Sequence, residues 1–246
     1  MPLEEIWILV LVVTFAAFVR GYSGFGFAAI AVVGINLFLS PQQSIPIVLG
    51  LDVICSAPLF RQALRQADMP TLKFLTLGAI IGIPVGLSLL LLVPSETLKL
   101  LICIAILIFS VLLLLDIRIK NTDKTPAKLG FGVLAGTGTS GASIGGPMVV
   151  CYMLSSSLSA TVQRATMIMF FIMSESISMG GLFISNLVGL DVIKLIAILL
   201  IPSLIAVKVG QWAFNRKPPK SLKHFALPIM VTVALLGVSA SIGEAF

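Results

Sequence analysis

Charged side chains are scarce in this chain of 246 residues, where Asp, Glu, Lys and Arg together account for 11% of the positions. Soluble domains carry about a quarter charged residues, so this composition excludes an ordinary soluble protein. The single histidine and the three widely separated cysteines offer no metal-ligand spacing and no complete set of disulfides. Walker and HExxH motifs are also missing, so the sequence predicts neither an enzyme nor a cofactor.

Apolar residues make up 58% of the chain, and the mean hydropathy is +1.14. These values predict an all-α, polytopic membrane protein with one transmembrane domain over residues 1–246. The first ten residues, MPLEEIWILV, lack the basic region of a cleavable signal, so we expect the first apolar segment to be retained. The net charge of +6 falls mostly in short loops, which is a topology signal and does not indicate nucleic-acid binding.

Eight apolar regions are long enough to enter or cross a bilayer. Two of them, at about 6–39 and 127–157, are broken centrally by glycine-rich stretches, RGYSGFGFAA (20–29) and GTGTSGASIGGP (136–147). The other six are unbroken and are predicted to be membrane spans, at about 44–60, 70–93, 97–117, 161–187, 192–214 and 222–243.

The two broken regions resemble each other in a way that indicates a duplication. Superposing Gly24-Phe25-Gly26 on Ser143-Ile144-Gly145 also brings Gly86 close to Gly210 further along the chain. The offset between the halves grows from 119 to 124 residues between these two landmarks. The sequence therefore predicts two repeats, the first over about 5–118 and the second over about 127–244.

The distribution of basic residues predicts how the halves are oriented. The positive-inside rule places the loop with Arg61, Arg65 and Lys73 in the cytoplasm, together with the basic segments 118–128 and 216–223. This is consistent only if region 127–157 starts and ends on the same side, as a broken hairpin. Each half then has five segments, two hairpin legs and three spans, and an odd number inverts the second half. Inverted repeats with discontinuous helices are typical of secondary transporters.

The glycine-rich turns are the predicted substrate site. Legs of about 13 to 15 residues would be about 20 Å long, which places the turns inside the membrane. The leg after each turn begins with free N–H groups and the positive end of a helix dipole, which attract an anion. We therefore predict that the turns face each other and bind a small anion through Ser23, Gly24, Phe25, Gly26, Thr139, Ser140, Ser143, Gly145 and Gly146.

Helix packing is the alternative role for these glycines, because small residues let membrane helices approach closely. The GxxxG pairs Gly132/Gly136 and Gly82/Gly86 are predicted to be packing contacts of this kind. For the turn glycines we favour substrate binding, since two polar breaks occur at matching positions of the repeats.

Ionisable residues inside apolar regions are further candidates, because such groups are costly in a membrane and often serve a pathway. Arg20 adjoins the first turn, where it either neutralises the anion, pairs with a carboxylate or extends toward the interface. Asp52 and Glu175 follow the two hairpins, and each either carries a coupling proton or pairs with a buried cation. Gln163 and Arg164 directly follow the second hairpin and are candidates for guarding its mouth.

The stretches GYSGFGFAAI and GVLAGTGTSGASIGGPMVV, followed by Gln163-Arg164-Ala165, resemble the sulfite-exporter-type permeases, the TauE/SafE or 4-toluene sulfonate uptake family. The resemblance extends over nearly the whole chain. It departs from the family pattern at Ser143, where glycine is usual, and at Phe27, where further glycines are common. It implies a multi-span permease for sulfite, sulfonates or other sulfur-containing organic anions.

The function predicted from these features is secondary transport of a small anion by alternating access in a bacterial inner membrane. Its expected partners are the anion, the lipid bilayer and, as candidates, protons and further copies of the chain. An anion channel is the main alternative, and a non-transporting membrane subunit or an intramembrane enzyme are others. Saturable flux that a proton gradient can drive would distinguish a transporter from a channel.

Overall fold

The computed structural model describes residues 3–115, 124–216, 231, 232 and 235. Over these residues the chain forms nine α-helices and no strands. The helices are α1 (Leu3–Ser23), α2 (Phe27–Asn36), α3 (Pro41–Gln66), α4 (Met69–Leu92), α5 (Ser95–Leu114), α6 (Thr125–Ala142), α7 (Gly145–Ser155), α8 (Ala160–Ile184) and α9 (Leu190–Arg216).

The prediction of an all-α polytopic membrane protein is confirmed. In the described part of the chain, α1, α3, α4, α8 and α9 are each long and apolar enough to cross a membrane. Helices α3, α4, α5, α8 and α9 correspond to five of the six predicted unbroken spans. The sixth, at 222–243, and most of the basic residues predicted at 118–128 and 216–223 lie outside the described residues.

The surface and the interior of the bundle are both apolar. Leu92 and Ile184 are each 81% exposed, as expected for side chains that face lipid. By contrast, nine of the ten residues of α2 are buried. Helix α2 therefore lies inside the bundle, where an interrupted backbone is shielded from hydrocarbon.

Each glycine-rich break joins two helices that run back along each other. In the first hairpin Gly34 of α2 packs against the side chain of Val12 of α1. In the second, the rings of Phe131 on α6 and Tyr152 on α7 lie 5.4 Å apart. These pairs are distant in sequence on either side of the breaks, so the chain reverses at both of them.

The hairpin legs are not of equal length, and the expected 13 to 15 residues per leg is wrong. The first legs, α1 and α6, have 21 and 18 residues, whereas the second legs, α2 and α7, have only 10 and 11. At 1.5 Å per residue the long legs reach about 30 Å and the short legs about 15 Å. Each break therefore lies between the end of a long leg and the start of a short leg.

Glycines bring α4 and α6 into backbone contact. On α4, Gly82 has no room for a Cβ because the backbone of Val133 and Thr137 on α6 is too close. On α6, Gly136 lies equally close to the backbone of Ala79. The prediction that these GxxxG glycines are packing contacts is confirmed.

Helices α1 and α9 pack in the same manner as α6 and α4. Gly86 on α4 lies against Thr137, Ser140 and Gly141, and Gly210 on α9 lies against Phe18, Gly21 and Tyr22. An offset of 119 residues converts the second set of neighbours into the first, 18 to 137, 21 to 140 and 22 to 141. This correspondence supports the two-repeat organisation, which stays a prediction.

A matched pair of glycine-to-alanine changes tests the α4–α6 contact. In Gly82→Ala the new Cβ would overlap the backbone of α6, so we expect a loss of about 1–3 kcal/mol of stability. In Gly130→Ala the new Cβ meets nothing within 4 Å, and the higher helix propensity of alanine should add up to about 1 kcal/mol. Thermal unfolding in detergent measures both effects. A melting temperature of G82A equal to that of wild type would contradict the packing.

Candidate functional site

The two breaks meet at one buried cavity. It measures about 10 Å³, which is room for about one water molecule. Helices α1, α2, α3, α6, α7 and α8 all contribute to its wall. The lining residues are Arg20, Gly26, Ala28, Ala29, Leu49, Asp52, Thr139, Ser143, Gly145, Gly146, Phe171 and Glu175.

The first break depends on glycine and on one serine hydroxyl. Gly24 and Gly26 have φ angles of 83° and 93°, a left-handed conformation that residues with a Cβ rarely adopt. The Ser23 hydroxyl donates to the carbonyl of Val19 at 2.7 Å and accepts the N–H of Phe25 at 3.3 Å. Ser23 therefore holds the turn together rather than facing the cavity.

At the second break Ser143 takes the left-handed conformation, with φ 55°. Its N–H donates to the carbonyl of Thr139 at 3.1 Å, and the next N–H, of Ile144, donates to the carbonyl of Gly138 at 2.9 Å. The Ser143 side chain is 1% exposed and lines the cavity, yet its hydroxyl has no hydrogen-bond partner among the residues that the structure describes. A buried, unpartnered hydroxyl beside a cavity is a ready donor for a ligand.

Ser143 is also the serine of a GxSxG sequence, Gly141-Ala142-Ser143-Ile144-Gly145. In hydrolases this motif works as a sharp strand-to-helix turn that exposes the serine. Here a helix, α6, precedes the turn instead of a strand. The setting therefore does not provide the nucleophile geometry of that motif.

The short helices α2 and α7 both begin at the cavity. No side chain caps either N-terminus, and neither helix has an acidic residue in its first turn. The first amides of an α-helix have no partner inside the helix and carry the positive end of its dipole. Two such ends at one cavity, from Gly26 to Ala29 and at Gly145 and Gly146, make it favourable for negative charge.

Arg20 is the cation of this cavity, and its side chain is 1% exposed. Its Nε lies 2.9 Å from Oδ1 of Asp52, although the N–H is not aimed at that oxygen, so the contact is an ion pair without a hydrogen bond. The other two nitrogens donate to the carbonyl of Gly24 at 2.8 Å and to the hydroxyl of Ser56 at 2.7 Å. The guanidinium also lies over the ring of Phe171, 4.9 Å from its centroid. Of the roles foreseen for Arg20, pairing with a carboxylate is the one that the structure shows.

The carboxyl groups of Asp52 and Glu175 lie together beside Arg20. Both residues are 2% exposed and line the same cavity. Beside the one guanidinium of Arg20, the formal charge of the pair is balanced when the two carboxyls carry one proton between them. Among the described residues, the second oxygen of Glu175, Oε2, has no hydrogen-bond partner.

Several predicted site residues lie away from the cavity lining. Ser140 donates to the carbonyl of Ile83 on α4 at 2.8 Å, and Gln163 donates to the carbonyl of Met153 at the end of α7 at 2.8 Å. Both groups therefore join helices together. The remaining predicted residues outside the lining are Ser23, Gly24, Phe25 and Arg164.

Arg164 supports the first break from the other half of the chain. From α8 it donates to the carbonyls of Tyr22 at 3.2 Å and Gly21 at 2.6 Å. These are among the last carbonyls of α1, which have no partner inside that helix. Its guanidinium also lies 4.0 Å from the centroid of the Phe214 ring on α9.

Two side chains that contact Arg20 were not predicted, Ser56 and Phe171, and neither were the apolar lining residues Ala28, Ala29 and Leu49. Ser56 lies four residues after Asp52, and Phe171 lies four residues before Glu175. A spacing of four puts each pair on one face of its helix. This spacing is the signal from which both residues could have been found.

A bundle of apolar helices with two interrupted helices around a buried, charged cavity is the architecture of a secondary membrane transporter. The family model described as Sulfite exporter TauE/SafE matches residues 9–237. The chain therefore belongs to the TauE/SafE family of membrane transport proteins. Comparisons with curated proteins and with solved structures give no significant match.

Replacing Arg164 tests its support of the first break. Arg164→Met removes the hydrogen bonds from the Arg164 guanidinium to the carbonyls of Gly21 and Tyr22, so we expect a loss of about 2–4 kcal/mol of stability. Arg216→Met is the matched control, because Arg216 is exposed and stacks on Trp212. It should cost about 1 kcal/mol or less. Thermal unfolding compares the two, and equal losses would refute the special role of Arg164.

Proposed function

We propose that this protein is a secondary transporter that moves a small sulfur-containing anion, sulfite or a sulfonate, across a bacterial inner membrane by alternating access. The family supports membrane transport of such an anion. The choice of the cavity at the two breaks as the substrate site rests on its geometry. The single observation that carries it is the unpartnered Ser143 hydroxyl between two uncapped helix N-termini.

The groups around the cavity match the chemistry of an oxyanion. Amide N–H groups at the starts of α2 and α7, the Ser143 hydroxyl and the Arg20 guanidinium are all donors. A sulfite or sulfonate group has several acceptor oxygens and can accept from more than one of these donors. The dipoles of the two helix N-termini add to the attraction that Arg20 exerts on an anion.

The size of the cavity supports alternating access over a channel. Room for about one water molecule is too little for a sulfite or sulfonate group, so the helices around the cavity have to separate before an anion binds. A channel needs a continuous passage at its selective site. A site that closes around its ligand and opens in turn to each side is typical of a carrier.

Removing one hydroxyl tests the substrate site. In Ser143→Ala the fold loses no hydrogen bond, because the hydroxyl has no partner. We expect unchanged thermal stability but about tenfold or weaker apparent affinity for sulfite, since a hydrogen bond to an anion is worth about 1.5–3 kcal/mol. Sulfite counterflow in proteoliposomes at a series of concentrations measures the affinity.

Ser140→Ala is the matched control for Ser143→Ala. Its hydroxyl donates to the carbonyls of Ile83 and Gly136, so the variant should lose about 1 kcal/mol of stability and keep its affinity. If both variants have wild-type affinity, Ser143 does not bind the substrate.

Filling the cavity is a second test of the site. A Cβ at Gly146 meets only the tip of Phe171, at 3.8 Å, whereas a Cβ at Gly145 would overlap Thr139 and the carbonyl of Ala135. We therefore expect Gly146→Ala to fold and to lose at least about nine-tenths of sulfite flux, because its methyl group takes up space at the cavity that the anion needs. Gly145→Ala is a poor test, since its Cβ disturbs the helix break itself. A folded Gly146→Ala variant with full flux would contradict the proposed site.

A further inference from the structure

We propose that Asp52 holds the place of the transported anion on Arg20, and that each monovalent anion enters together with one proton that releases Asp52. This inference rests on the proposed transport function and specifies how the same site works. It makes the protein an electroneutral proton–anion symporter with a stoichiometry of one to one.

The balance of formal charge in the cavity requires a proton to accompany the anion. The cavity contains one cation, Arg20, and two carboxyl groups, Asp52 and Glu175. With one proton shared by the two carboxyls, the empty site is neutral. Adding a monovalent anion to that state would leave a net negative charge in a low-dielectric interior, which is strongly unfavourable. A second proton on the carboxyl pair restores neutrality.

The contacts of Arg20 show which carboxyl the anion replaces. Two of its three nitrogens are held by neutral acceptors, the carbonyl of Gly24 and the hydroxyl of Ser56. Protonation of Asp52 leaves both of those bonds intact, so the guanidinium keeps its position. The Nε of Arg20 lies 2.9 Å from Oδ1 of Asp52, and of the three partners Asp52 is the one that a proton can neutralise. An incoming oxyanion can therefore replace Asp52 once that carboxyl is protonated.

The proton has a defined place to go. In the empty site one proton is shared by Asp52 and Glu175, because one proton on this pair balances the charge of Arg20. The incoming proton is taken up by the carboxylate that remains, and both carboxyls are then neutral. The unpartnered Oε2 of Glu175 and the hydroxyl of Ser178, one turn along α8, are further polar atoms beside this pair without partners.

Other ionisable groups near the pair do not change this count. The thiol of Cys55, on α3, lies close enough to interact electrostatically with Arg20, Asp52 and Glu175, and a thiol is neutral unless activated. Arg164 also interacts with Arg20, but its charge is directed at the carbonyl end of α1. The lining residues from α2, α6 and α7 are Gly26, Ala28, Ala29, Thr139, Ser143, Gly145 and Gly146, none of which is ionisable.

Driving forces applied to proteoliposomes of the full chain test the stoichiometry. Methanesulfonate is the preferred probe because it stays a monovalent anion over the pH range used, and sulfite is the second probe. Counterflow first establishes that a probe is carried. With the membrane potential clamped at zero by potassium and valinomycin, we expect about tenfold accumulation per unit of pH gradient. A potential imposed without a pH gradient should drive no accumulation.

Charge-neutral variants locate the coupling. In Asp52→Asn and Glu175→Gln we expect the ratio of pH-driven accumulation to counterflow to fall at least about tenfold, because the pair loses a protonation site. Asp191→Asn is the matched control, since Asp191 is exposed and pairs only with Lys194 in the described structure. It should keep the wild-type ratio. If the cavity variants do not fold, the wild-type response to the two driving forces decides alone.

The outcomes separate this inference from the proposed function. Counterflow together with accumulation that follows the membrane potential, and not the pH gradient, would overturn the one-to-one symport and leave anion transport intact. Wild-type coupling ratios in both folded cavity variants would overturn the role of Asp52 and Glu175. Absence of counterflow for both probes would overturn the proposed transport of sulfur anions, and this inference with it.

Discussion

Backbone groups inside a membrane need partners, and this constraint shapes the structure, because the chain interrupts two helices there. Carbonyl groups and amide groups at the breaks meet this constraint in different ways. At the carbonyl end of α1, Arg20 and Arg164 supply donors to Gly24, Gly21 and Tyr22. At the amide ends of α2 and α7 no side chain supplies a cap. The protein thus supplies donors to carbonyls at the first break, and under the proposed function the uncapped amides favour an anion over a cation.

Different helices provide the close packing around the breaks and the carboxyl groups of the cavity. Helices α1 with α9 and α6 with α4 are joined through glycines at backbone distance, which holds the long leg of each hairpin against a full span. Helices α3 and α8, which pack together at the centre, carry Asp52 and Glu175. The breaks are therefore supported by close-packed apolar contacts, while the two carboxyl groups reside on a separate pair of helices.

The sequence predicts the helical elements well because their signal is local. Apolar length locates α3, α4, α5, α8 and α9, and clustered glycines locate both breaks. The leg lengths are not predictable in the same way. Legs of 13 to 15 residues were expected, but α1 continues through Arg20 to Ser23. Inside the bundle the charge of Arg20 is paired with Asp52, 32 residues later in the chain. Ser140 and Gln163 were expected at the site, yet such side chains in a membrane interior bond the nearest free carbonyl. Partners of this kind are set by tertiary packing, which one sequence does not display.

Arg20 makes the site asymmetric with respect to the two halves of the chain. Under the proposed duplication, the offset of 119 residues places Thr139 opposite Arg20, so only the first half contributes a cation. Each half contributes one carboxyl, Asp52 from α3 and Glu175 from α8. The charge balance of the cavity is therefore shared between the halves and is complete only when α3 and α8 are in contact. Under the proposed symport, a movement of one half against the other would separate the carboxyl pair and so couple opening of the site to the protonation state of Asp52 and Glu175.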